Sequence, residues 1–94
     1  MEQEIHVAGI VVYASAERRA SVEAAVNAIP GARVHAASDS GKLVVTLEAP
    51  GSREMAGLTE HIRQIHGVID AALVYQHAES LESMNQEISD EHLA

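Results

Sequence analysis

Six histidines and fourteen carboxylates are the residues of this chain with the chemistry to hold a metal or move a proton. The histidines are His6, His35, His61, His66, His77 and His92, scattered along the whole sequence. His61 and His66 come nearest to a pair. Five residues apart, they stand roughly 140° apart around a helix and cannot close on one ion. Each histidine is therefore read as solvated or capping, and no metal is expected. With no Cys, the chain has no thiol nucleophile, no thiolate ligand and no disulfide. No Gly-rich phosphate loop is present, no Ser stands beside an evident base, and no two carboxylates can be placed across a cleft. These residues predict a protein that is not an enzyme, carries no cofactor and works by binding.

Charge narrows what it could bind. The net charge of −8 suggests a basic partner until the acids are located. Residues 5 to 78 hold seven acids against six bases, and the remaining acids sit at the ends: Glu2 and Glu4 before, then Glu79, Glu82, Glu87, Asp90 and Glu91 after. The expected organisation is one domain over 1–78 and an acidic tail over 79–94, which is flexible or a short amphipathic helix. Leu81, Met84 and Ile88 at i, i+3 and i+7 would make the apolar side of that helix. A nearly neutral domain with two Tyr and no Phe or Trp lacks the basic surface and stacking rings that nucleic acid needs, so no nucleic acid is expected. The opening Met-Glu-Gln-Glu-Ile-His carries acids where an export signal carries bases, and no apolar run approaches the ~18 residues of a membrane span. A cytoplasmic protein without membrane insertion is the expectation.

The elements that must position a binding surface follow from periodicity. Ile5 to Val12 is β-branched-rich and too short for a helix, so it reads as a strand. Val22, Ala25, Val26 and Ile29 lie at helical spacing from Glu17 onward, with Ser15 as a plausible N-cap and Pro30-Gly31 as the stop. Arg33 to Ser38 and Lys42 to Glu48 form a hairpin around Ser38-Asp39-Ser40-Gly41. After Pro50-Gly51-Ser52, Met55, Leu58, Ile62 and Ile65 mark a second helix ending at Gly67, and Val68 to Gln76 is the last strand. Val22, Val26, Ile29 and Gly31 recur 36 residues on as Leu58, Ile62, Ile65 and Gly67. The fold class is thus α+β: a ferredoxin-like βαββαβ chain, four antiparallel strands with two helices on one face.

The other face has nothing to cover it, and it is not polar. With Leu43, Val45 and Leu47 turned to the helices, Val44, Thr46 and Glu48 lie outside. On the first strand the larger Ile10 belongs in the core, which sends Val7, Gly9, Val11 and Tyr13 outward. On the last strand Ala71, Leu73 and Tyr75 are expected inward, with Ala72, Val74 and Gln76 outward. A contiguous apolar strip of this kind needs a cover. A weak homodimer packed sheet to sheet, a tail folded back, or a captured peptide or small ligand would each supply one.

Several stretches together resemble the NapD family: Ala8-Gly9-Ile10-Val11-Val12, Ile29-Pro30-Gly31, Gly41-Lys42-Leu43-Val44-Val45-Thr46-Leu47-Glu48, and Gly67-Val68 leading to Leu73-Val74-Tyr75-Gln76-His77. The likeness runs from about Ile5 to His77 and rests on order and spacing. It departs at Gly9, where a Ser is common, and at Gln76-His77, where His often follows the Tyr directly. The resemblance implies a cytoplasmic assembly chaperone that binds the twin-arginine signal peptide of the periplasmic nitrate reductase catalytic subunit and holds back export until cofactor is loaded. The open-face residues Val7, Gly9, Val11, Tyr13, Val44, Thr46, Glu48, Ala72 and Val74 would then receive the peptide, with Glu48 the first candidate to meet an arginine. A dimeric regulatory domain that senses a small ligand shares the same strand order and is the alternative.

Overall fold

The computed structural model describes residues 4–80. In chain order it contains β1 (Glu4–Ala14), α1 (Arg19–Asn27), β2 (Ala32–Ala37), β3 (Lys42–Ala49), α2 (Ser52–Arg63) and β4 (Val68–Ser80). The strands form one antiparallel sheet in the order β2-β3-β1-β4. This is the expected ferredoxin-like βαββαβ architecture. Among the described residues no helix is long and apolar enough to cross a membrane. The expected acidic tail lies outside the described residues from Leu81 onward, and with it the helical stripe assigned to Leu81, Met84 and Ile88.

The core lies between the helices and the two central strands. Among the described residues thirteen hydrophobic side chains are buried, none aromatic, and eight of them alternate along β1 (Ala8, Ile10, Val12, Ala14) and β3 (Leu43, Val45, Leu47, Ala49). Val22 and Val26 of α1, with Met55 and Ile62 of α2, fill the other side. The edge strands give less: Ala71 of β4 is buried, while Ala32 and Val34 of β2 and Val68 of β4 pack against the core half-buried.

The 36-residue echo is a structural repeat. Both helices end in the same hydrogen bonds, from Ala28 N to Ala24 O (3.1 Å) and from Gln64 N to Glu60 O (3.2 Å). Each then turns through Ile29 N to Val26 O, or Ile65 N to Ile62 O. Gly31 (φ 89°) and Gly67 (φ 101°) follow in the left-handed conformation that a side chain disfavours, which is why the stop recurs as Gly in both halves.

Three local expectations need correction. Ser15 caps with its backbone: its side chain makes no cap bond, its carbonyl accepts Arg18 N at 3.0 Å, and a 3-10 turn over Ala16–Arg18 precedes the α-helix. Strands β1 and β4 also run further than Ile5–Val12 and Val68–Gln76. They continue to pair with each other, out to Glu4 opposite Ser80, beyond the last β3 partner, Ala49 opposite His6.

The third correction concerns β4. Leu73 and Tyr75 do not pack inward; they are 58% and 46% exposed. Leu73 does lie opposite Ile10, on the helix side, but α2 ends at Arg63, whose Nη2 donates to Ala71 O at 2.8 Å, and leaves Leu73 uncovered. A bulge then shifts the register between Gly9 and Ile10, so that Gly9 faces Tyr75 and Ala8 faces Gln76. The extra residue reverses the alternation. Tyr75 and His77 thereby come to the open face, and Gln76 goes to the helix side.

Candidate functional site

Every exposed large apolar side chain among the described residues lies on β1, β3 or β4: Tyr13, Val44, Ile69, Leu73, Val74 and Tyr75. None lies on a helix. Leu73 lies on the helix side, but Tyr13, Val44, Val74 and Tyr75 lie on the open face, which is therefore the surface with most to gain from a partner.

Its centre is the pair β1 and β3, in regular register. Val7 stands opposite Glu48, Gly9 opposite Thr46, Val11 opposite Val44 and Tyr13 opposite Lys42. Ala72 adjoins Val11 on the β4 side. The structure thus brings the expected residues onto one face. Val7, Val11 and Thr46 are half-buried, Val44 and Tyr13 exposed, and Gly9 fully covered. Val74 arrives there by a different route: it is the extra residue of the β4 bulge, not a member of the alternating set.

Gly9 is covered by Tyr75. A Cβ built at Gly9 would collide with Cε1 of the Tyr75 ring, so the ring can lie on the strand only because no side chain is there. The ring also stacks on His77, with centroids 6.0 Å apart and planes at 22°. On the opposite edge a second bulge shifts the β2 register between Val34 and Ala36. The residue it sets aside is His35, whose Nε2 shares a 2.7 Å hydrogen bond with Thr46 Oγ1. Between the two edges lies a hollow of about 240 Å³, bordered by Gly9, Val11, Val44 and Thr46 and walled by His35 on one side and Val74 and Tyr75 on the other.

Sequence periodicity gives His35 no place on this face and turns Tyr75 inward. Gly9 was the available signal for Tyr75, since a strand-interior glycine often marks a close approach. Nothing in the residue types around His35 announces a bulge.

Charge is distributed unevenly along β3. At one end Lys42 Nζ stands 5.9 Å from the centre of the Tyr13 ring. At the other end Glu48 is exposed and makes no ion pair with a described residue, while its backbone N donates to Gly31 O at 2.8 Å. A larger gap, about 800 Å³, lies between the helices over Ala25, Ala28, Gly57 and Leu58, and Glu48 and Glu54 also border it. It is a broad separation between two helices whose outward surfaces expose no large apolar side chain, so the open sheet face remains the stronger candidate. Among the described residues no group of three or more His, Asp and Glu is placed to hold a metal.

Comparison with known proteins agrees with this architecture. The family model described as NapD protein matches residues 5–80. The curated relative named Chaperone NapD from Escherichia coli K12 is 37% identical over 81 residues, covering 84% of this chain and 92% of the relative. The protein of that name from Shigella flexneri matches to the same extent. Among solved structures, the solution structure of the E. coli Tat proofreading chaperone protein NapD superposes with a TM-score of 0.75 at 34% identity, covering 80% of each chain.

Proposed function

The chain belongs to the NapD family, and from that premise we propose that it is a chaperone whose open sheet face captures the twin-arginine signal peptide of a periplasmic nitrate reductase precursor. In the cytoplasm this capture holds back export until cofactor loading and folding are complete. The carrying observation is the concentration of uncovered apolar side chains on the sheet strands, against a helical surface that has none.

The physical route is burial with a charged end. Covering a few hundred Å² of apolar surface at about 25 cal/mol per Å² gives a gross gain of several kcal/mol, against which stands the cost of ordering the peptide. Glu48, unpaired among the described residues, receives one of the arginines, and Lys42 at the far end of β3 disfavours the reverse orientation. Exposed ion pairs contribute only about 0–1 kcal/mol, so this contact sets direction and selectivity more than affinity.

The test is a calorimetric titration with the twin-arginine peptide beside a control with both arginines replaced by lysine, which keeps the charge and loses the planar fork. One-to-one binding to the first and clearly weaker binding to the second supports the reading. Heat from neither, together with a tight dimer in sedimentation, moves the assignment to a dimeric small-ligand domain. Val44→Asp places a charge on an exposed position of the face; capture should be lost while the circular dichroism spectrum is unchanged.

A further inference from the structure

The two edge strands are interrupted at the same level of the sheet. On β4 the bulge falls between Leu73, opposite Ile10, and Tyr75, opposite Gly9. On β2 it falls between Val34, opposite Val45, and Ala36, opposite Val44. Ile10 and Val45 are themselves paired, so these two irregularities flank one rung, while the other register shift of β4 lies away from it at Tyr13/Ala14. Bulges re-aim side chains, and here each edge turns a ring onto the open face: Tyr75 from β4 and His35 from β2. Gly9, without a side chain, lets the Tyr75 ring lie down on β1 as one wall, and Val11 and Val44 line the space beside it. The walls lean inward over the two central strands, Tyr75 onto Gly9 of β1 and His35 onto Thr46 of β3.

We propose that this hollow is an anchor site for one aromatic side chain of the bound peptide, with Tyr75 and His35 setting the preference. The inference rests on the open face being the peptide site. Size supports it: the hollow of about 240 Å³ exceeds the ~150 Å³ of an apolar cavity known to take benzene, leaving room for one phenyl ring and its tether but not for two. Lining supports it as well. Val11, Val44 and Val74 supply aliphatic contact, and Tyr75 and His35 supply ring surfaces on opposite walls. Thr46 and His35 satisfy each other, so neither hydrogen-bonding group needs a polar partner from the ligand.

The experiment is a titration of the full chain with a peptide set in which each apolar position of the signal peptide is replaced in turn by Phe, Leu and Ala. One position should dominate. There Ala should weaken binding on the order of 10- to 100-fold relative to Phe, and Leu by about 2- to 10-fold. Two variants read the hollow directly. Val44→Ala enlarges it and should shift the preferred residue at that position from Phe toward Trp; Tyr75→Ala removes a wall and should bring the Phe-to-Leu ratio toward one. Tyr13→Ala, at the far end of the same face, should leave that ratio unchanged even if affinity falls. If peptides bind but losses are spread evenly over the positions, the anchor site is refuted and peptide capture by the face stands. If no peptide binds at all, both fall together.

Discussion

Leu47 on β3 and Leu73 on β4 both point to the helix side of the sheet, the first opposite Ala8 and the second opposite Ile10. Yet Leu47 is fully buried and Leu73 is 58% exposed. The residue type and the side are the same; the position of the strand differs. On β3 every second residue meets a helix, so alternation becomes a core. Strand β4 is at the edge, where α2 reaches only as far as Ala71, and beyond that point its apolar residues face solvent. The sheet thus divides its helix-side aliphatic residues, with those of β1 and β3 buried in the core and Leu73 of β4 left in solvent.

Substitutions can test that division, and the largest effect belongs to the core. Leu47→Ala should lower stability by about 3 kcal/mol, read as a fall in the urea midpoint at constant slope. A loss under about 1 kcal/mol would mean the central strands carry less of the fold than their burial implies. Gly9→Ala sharpens the comparison where the two strands touch. Its new Cβ must displace the Tyr75 ring, for a cost of about 1–2 kcal/mol and a large change in the Tyr75 and His77 ring resonances. Tyr75 signals that do not move would contradict the close approach. The smallest effect is expected from Leu73→Ala, about 0.5 kcal/mol or less in the same denaturation assay, because little is uncovered that was not already exposed. If Leu73→Ala matched Leu47→Ala, the contrast between the strands would collapse.

Legibility follows the same line. On β3, Leu43, Val45 and Leu47 alternate with Lys42, Val44, Thr46 and Glu48, and that pattern admits only one face for the core. On β1 all of Val7 to Val12 are apolar or Gly, and the side was settled by volume, since Ile10 fills a core better than Gly9. On β4, Ala71 to Tyr75 are apolar at both parities, so no pattern of residue types marks where an extra residue enters. The open-face set reads correctly where alternation is enforced by packing. It reads incorrectly at Tyr75, and Val74 reaches the face by a cause that alternation does not contain.

Residue order alone determined the element sequence, the paired helix stops at Gly31 and Gly67, the aliphatic core and the existence of an uncovered apolar face. These depend on local geometry and period, which a single chain segment expresses by itself. The assembled sheet decided the register of β4, the placing of Tyr75 and His35 on either side of the rung of Ile10 and Val45, and the hollow between them. Each depends on how a strand pairs with a neighbour distant in sequence, and a shift of one residue there exchanges the two faces without altering the composition of the strand.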